Sequence, residues 1–424
     1  MGKSDVSIRE DDGMDQVAVQ PVNPNKKVGY GWVVFIVTFF AAWTASSNMA
    51  KVTALAPILM PYFGISPDAI GWIIAAFYIM GFVLAFPVAW MIPKIGLRFT
   101  VALAVACGVV GGLMGVLSTD LPMFIVSRVI EGAGMGFMNV AGASALFPWF
   151  PGNKRGLAFG LWGMWVASAM FICPTLYSAL VDQAGWSWQG IWWMMIVFDV
   201  VVLILFMVFY RDAPEGWNGE PVDTNATPVK HATKLVFMIP ALWALGLCFF
   251  FDEAAYMAIN GFFSTYLTSD NVGATLTVAG LIASGAAVLG AIFAPVSGKL
   301  SDVLHTRKWV LFVGLLAGFV YTCLVFTSHS VEAYYGIIVL GGIAGGFVPA
   351  LVMTIAPELA GREELVPSAN ALVCFFQNTG MFVGAMFMGN AIVAFGWTMA
   401  TWVVLIPCYL IAICCLLIGL RKVK

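Results

Sequence analysis

Charge is scarce in this sequence. Only 10% of its 424 residues are Asp, Glu, Lys or Arg, against 61% that are hydrophobic, too little polar surface to coat a soluble globule of this length. Histidine is scarcer still: His231, His305 and His329 all fall in connecting segments, so a metal site or a histidine relay has no ligand set to build on. No phosphate-cradling Gly-x-x-x-x-Gly-Lys-Ser/Thr loop is present, and no other catalytic constellation stands out, so an enzyme is not expected and no cofactor is called for. The net charge of −2 comes from residues that anchor loops, without the basic patch that nucleic acid would need. The first 28 residues lack the apolar core of a cleavable signal peptide; polar and acid-rich, they read as a disordered cytoplasmic tail. Eight cysteines sit singly, or as Cys414–Cys415, within apolar stretches and read as small core residues, not as a disulfide framework.

What the chain has in abundance is apolar run length. Stretches long enough to cross ~30 Å of hydrocarbon, about twenty helical residues each, recur along the whole sequence. Twelve spans are expected, centred on residues 30–58, 69–92, 99–118, 121–147, 156–181, 189–210, 235–267, 275–299, 309–328, 332–356, 366–392 and 397–420. They are too long and too continuously apolar for the strands of an outer-membrane barrel, and 44 glycines suit helices packed closely in lipid. The fold class is therefore an all-α membrane protein.

Lysine and arginine follow every even-numbered span: Lys94 and Arg98; Lys154 and Arg155; Arg211, Lys230 and Lys234; Lys299, Arg307 and Lys308; Arg362; and Arg421, Lys422 and Lys424. Lys26 and Lys27 precede the first. The opposite connections, "PYFGISPD", "STDLP", "VDQAGWSW", "LTSDNVGA", "SHSVEA" and "VAFGWT", contain neither residue. The positive-inside rule then places both termini in the cytoplasm and the chain in the plasma (cytoplasmic) membrane. The long polar break at 211–234 divides it into a six-helix bundle at 29–210 and a second at 235–424. A shift of about 209 residues lays Gly71 on Gly280, Gly81 on Gly290, Arg98 on Arg307 and Lys51 on Asn260, as a parallel repeat would.

Four motifs carry a resemblance. "GKLSDVLHTRKWV" at 298–310 resembles the loop signature of the major facilitator superfamily, keeping Gly298, Asp302 and Arg307, and "AWMIPKIGLRF" at 89–99 is a degraded copy with Pro93 where the aspartate belongs. "SRVIEGAGMGF" at 127–137 resembles that superfamily's fourth-helix motif, and "AGWSWQGIWW" the opening of its sixth helix. The resemblance covers residues 30–420. It implies two six-helix bundles rocking about a central cavity lined by helices 1, 4, 7 and 10, with conformational gating by Gly298, Asp302, Arg307 and Arg98. "GYGWVV" followed by a first-helix lysine is similar to the monocarboxylate and oxalate/formate porters. Those porters carry a helix-8 charged pair before a proline, and Ala294 stands before Pro295 here.

Polar residues inside the spans fall in stripes, as on a helix that lines water. The first span carries Thr44, Ser47, Asn48 and Lys51; the fourth Arg128, Glu131 and Asn139; the seventh Glu253, Tyr256 and Asn260, with Asp252 beside them. A cation at mid-bilayer costs at least ~2.5–3.5 kcal/mol on insertion scales. Lys51 is therefore either a substrate contact or a residue that snorkels to the outer interface. Arg128 and Glu131, an i, i+3 pair, either neutralise one another or take part in coupling. Asp252 and Glu253 have no basic neighbour in sequence and read as coupling or substrate acids. Asp199 reads as a structural contact, and Gln377 and Asn378 as cavity or interhelical residues. The expected substrate site is Lys51, Asn48, Ser47, Tyr256, Asn260, Asn139 and Gln377, and the expected coupling set Asp252, Glu253, Arg128 and Glu131. The expected function is secondary transport, by a monomer, of a small organic anion such as a carboxylate, with protons or a counter-substrate. The alternative is proton-driven export of apolar or cationic compounds. Against that alternative stands "AMFICPTLY", with Cys173–Pro174 where such antiporters have a Gly-Pro pattern.

Overall fold

The computed structural model describes residues 29–84, 87–150, 152–213, 232–362 and 365–420. The expected tail at 1–28 and most of the 211–234 linker lie outside the described residues. Six helices come first: α1 (Tyr30–Phe63), α2 (Pro67–Val83), α3 (Lys94–Val116), α4 (Leu121–Leu146), α5 (Met164–Asp182) and α6 (Trp188–Phe209). A short helix, Gly152–Trp162, leads into α5. The chain before Gly96 is also helical, from Pro87, and the left-handed φ of 79° at Gly96 breaks it where α3 turns back. After Ala232–Phe237 come α7 (Pro240–Thr268), α8 (Leu276–Val303), α9 (Arg307–Val325) and α10 (Val331–Ala360). The helical stretch Val366–Ala400 breaks at Gly396, φ 75°, so α11 ends there and α12 continues through Ile406–Cys414.

Ten stretches are long and apolar enough to cross a membrane; the shorter Pro67–Val83 and the break inside Ser368–Gly419 bring the described crossings to twelve. The apolar runs fold as helices because a helix satisfies its own N–H and C=O groups where no water can. The result is a pair of six-helix bundles, all α.

The two sets of six share a backbone plan. Left-handed Gly64 and Gly273, the helix starts Pro67 and Leu276, and left-handed Gly96 and His305 are each separated by 209 positions. His305 occupies a conformation that glycine reaches at no steric cost. Gly71 and Gly280 are paired by the same offset. A Cβ on Gly71 would lie 2.6 Å from the Ala385 carbonyl oxygen of α11, and one on Gly280 would lie 2.6 Å from that of Pro174 in α5. The halves therefore touch along α2–α11 and α5–α8 at backbone distance, which only glycine permits.

These contacts lie toward the face away from the chain ends. There Asp182 Oδ2 accepts from the Thr277 N–H at 3.3 Å and from its hydroxyl at 2.7 Å. Thr175 donates to Ser284 at 2.7 Å, and further along α2 and α11 Trp72 and Phe82 meet Phe382 at 6.3 and 5.9 Å between ring centres. On the opposite face the four expected gating residues stay within their own halves. Arg307 pairs with Glu358 at 2.8 Å, Arg98 donates to the Met207 carbonyl, Asp302 is exposed, and a Cβ on Gly298 would meet nothing within 4 Å. Hydrogen bonds thus latch the halves at the face away from the chain ends.

Candidate functional site

Two polar centres sit at mid-depth, one in each half. In the first half, α1, α4 and α6 converge on four charged side chains that are at most 1% exposed: Lys51, Arg128, Glu131 and Asp199. Lys51 Nζ donates to Glu131 Oε1 at 2.7 Å, while Arg128 Nη1 donates to Oε2 of the same carboxylate and, at 3.1 Å, to the Asn48 carbonyl. One carboxylate thus serves two cations. Aromatic faces add to it: Lys51 Nζ lies 4.6 Å from the Trp192 ring centre, and the Arg128 guanidinium carbon 4.7 Å from that of Phe77, placements in which the ring quadrupole attracts the cation.

The fourth charge completes the cluster through an amide. Asn48 Nδ2 donates to Asp199 Oδ2 at 2.8 Å. Tyr177 of α5 donates to the Ser47 carbonyl at 3.2 Å and touches Met195 Sδ at 3.0 Å. Gly108 of α3 makes room, since a Cβ there would lie 2.7 Å from Asp199 Oδ2 and 3.1 Å from Asn48 Nδ2.

Lys51 therefore neither snorkels nor faces open space in this conformation. It lies twelve positions from the last residue of α1, Phe63, about 18 Å at 1.5 Å per residue, beyond comfortable reach of an interface. Its charge is met by Glu131, eighty positions away in sequence. Two other members of the first-helix stripe turn back on their own helix: Thr44 to the Ala41 carbonyl and Ser47 to that of Trp43, both at 2.8 Å. Asn139 is exposed further along α4.

The second centre is built on α7. Glu253 and Asp252, 3% and 4% exposed, have only neutral partners. Gln377 Nε2 of α11 donates to Glu253 Oε1 at 2.7 Å, and Tyr409 of α12 lies against Asp252. Among the described residues no lysine or arginine pairs with either acid. On the same line of α7, half-buried Tyr256 approaches Gly345 of α10, and half-buried Asn260 donates back to the Tyr256 carbonyl at 2.8 Å. Asn378 returns to Cys374 in its own helix at 2.8 Å.

One contact joins the centres. The Tyr78 hydroxyl, next to the Phe77 that underlies Arg128, lies 3.1 Å from Met257 Sδ, one turn beyond Glu253. Phe77, Tyr78, Tyr177, Trp192, Met257 and Tyr409 escape a search of the sequence for intramembrane charge. Their signal there is only that of apolar and aromatic residues in an apolar chain.

A model of the Major Facilitator Superfamily matches residues 34–269 and 245–424. The uncharacterized MFS-type transporter YcnB of Bacillus subtilis (strain 168) is 25% identical over 180 residues, 42% of this chain and 38% of that protein. The probable multidrug resistance protein EmrY of Escherichia coli (strain K12) is 26% identical over 200 residues, 47% of this chain and 37% of that protein. The chain thus spans less than two-fifths of the length of these relatives. A bacterial homolog to the human lysosomal transporter Spinster, crystallised inward-facing and unoccupied, superposes with a TM-score of 0.75 at 16% identity, over 92% of this chain and 95% of that one.

Proposed function

This chain belongs to the Major Facilitator Superfamily, and from that membership we propose that it is a proton-coupled secondary transporter that exports apolar or cationic compounds. One observation carries the reading. Within the membrane interior both described cations of the first centre are already bound to Glu131, whereas Asp252 and Glu253 have neutral partners only. An arriving anion finds no free positive charge; an arriving proton or cation finds two carboxylates. In this reading Glu253 and Asp252 carry the coupling proton, and Tyr256 and Asn260 on the same face of α7 contact the substrate. With the termini in the cytoplasm, as the positive-inside pattern of the loops expects, export in this reading takes substrate from the face that carries the chain ends. EmrY, a probable multidrug resistance protein, and LmrB of Listeria monocytogenes, a lincomycin resistance protein 27% identical over 109 residues, lend the same direction.

A second reading, import of a small carboxylate by proton symport, draws on the sharing of Glu131. A proton on that group would leave Lys51 and Arg128 without a counter-charge, free to bind a substrate carboxylate together with Asn48. Proteoliposomes holding the purified protein separate the two. Under an imposed pH gradient the proposal expects transport of a lipophilic cation such as tetraphenylphosphonium and none of formate, oxalate or lactate. Carboxylate flux without cation flux would replace it with the second reading.

A further inference from the structure

The pair formed by Asn48 and Asp199 is half-satisfied as drawn. Asn48 Nδ2 fills Asp199 Oδ2 at 2.8 Å, yet the other oxygen of each group, Asn48 Oδ1 and Asp199 Oδ1, is buried with no hydrogen-bond partner among the described residues. The residues are 1% and 0% exposed, so bulk solvent does not reach them. Both orphans are acceptors, and a buried acceptor left unmade costs about 1–3 kcal/mol. In a ring between an amide and a carboxylate only one N–H of the amide points at the partner, and the amide oxygen and the second carboxylate oxygen confront one another as two acceptors. An amide and a carboxylic acid direct one N–H and one O–H at each other and form a closed ring of two hydrogen bonds.

We propose that Asn48 and Asp199 form a proton-binding site in the first half: Asp199 carries a proton on Oδ1 and donates it to Asn48 Oδ1, while Asn48 Nδ2 donates to Asp199 Oδ2. One O–H bond forms, its proton comes from a hydronium ion in water, no electron moves, and the charge on Lys51, Arg128, Glu131 and Asp199 together rises from zero to +1. Exchanging the amide's O and N leaves the requirement unchanged, because the carboxylate oxygen then facing the amide carbonyl needs the proton instead. The titratable and charged neighbours are few. Lys51 comes from α1, Glu131 and Arg128 from α4, Tyr177 and Cys173 from α5, and α3 presents Gly108, which has no side chain. Lys51 is committed to Glu131 at 2.7 Å and no cation lies within ion-pair distance of Asp199 among the described residues, so Lys51 opposes the proton only from a distance and no cation occupies Oδ1.

The site is separate from the acids of α7, and its test is arranged to keep them apart. In purified protein carrying Asp252→Asn and Glu253→Gln, the infrared spectrum at neutral pH is expected to retain the carbonyl-stretch band of one protonated carboxyl, sensitive to deuterium exchange. Adding Asp199→Asn, which preserves a paired amide in place of the acid, is expected to remove that band. Should that variant fail to fold, Asn48→Ala serves: a protonated Asp199 that loses its acceptor shifts its band to higher frequency, and an ionised one has no band to shift. A double-variant spectrum with no protonated-carboxyl band, a band that survives Asp199→Asn, or one unmoved by Asn48→Ala would each overturn the proposal.

Discussion

The two halves are built alike and charged differently. Backbone landmarks repeat at an offset of 209, from Gly64 and Gly273 to Gly96 and His305, and so does the loop arginine, Arg98 and Arg307, while the charges of the two buried centres do not. By that offset Lys51 corresponds to Asn260, Arg128 to Ile337, Glu131 to Leu340 and Asp199 to Cys408; Glu253 corresponds to Thr44 and Asp252 to Trp43. The first half holds both its buried cations on one carboxylate, Glu131, with aromatic rings behind them. The second holds acids against an amide and a phenol. The repeat supplies the scaffold on which helices approach, and each half carries its own chemistry. Buried ions compensated within one rigid bundle fix its packing; buried acids with neutral partners remain open to a proton or a cation.

The largest expected effect breaks the compensated half. Glu131→Gln leaves Lys51 and Arg128 buried without a counter-charge, and removing one partner of such a cluster costs about 3–5 kcal/mol. Thermal unfolding in detergent should show Glu131→Gln well below the parent and below Glu253→Gln. Equal unfolding temperatures for the two variants would mean the halves do not differ in this way. Next come the symmetric glycines. Gly71→Ala and Gly280→Ala each press a Cβ toward a carbonyl oxygen 2.6 Å away, and overpacking of this kind costs about 1–3 kcal/mol. The same unfolding assay should find the two losses similar, since the backbone plan repeats where the charge does not. The smallest effect is at the latch. Asp182→Asn weakens two exposed hydrogen bonds to Thr277, a change of about 0.5–1.5 kcal/mol. It should shift the balance toward separation of that face several-fold, read as a longer distance between spin labels at Ala184 and Asp270. An unchanged distance distribution would remove Asp182 from the latch.

Most of the fold was legible because a bilayer imposes length and continuity on each span: the apolar runs located twelve crossings, but the second was expected to run to 92 where α2 ends at Val83, and the fifth to begin at 156 where α5 starts at Met164; the breaks came at Gly96 and Gly396, where a positive φ is needed. The repeat offset was also legible, from glycines that prove to sit at close helix approaches. The site was legible as a list and not as a set of pairs. Lys51, Asn48, Arg128, Glu131, Asp199, Glu253 and Gln377 all stood out as costly in lipid, but Lys51 meets Glu131 across eighty positions and Glu253 meets Gln377 across 124. Helical periodicity assigns a face to a residue and says nothing about what a neighbouring helix brings to it. For Lys51 the sequence offered the interface or the substrate, whereas an ion pair inside the bundle is visible only once α1 and α4 are packed together.

In the proposed function coupling resides in the acids of α7, while Lys51 and Arg128 are held within the first half by Glu131. It is tested most directly in proteoliposomes by comparing the parent with a variant carrying Asp252→Asn and Glu253→Gln, measuring proton movement alongside tetraphenylphosphonium flux. The account predicts that the variant still exchanges internal for external cation but neither accumulates it under a pH gradient nor moves protons with it. Accumulation and proton movement equal to the parent's, at equal reconstitution, would contradict it.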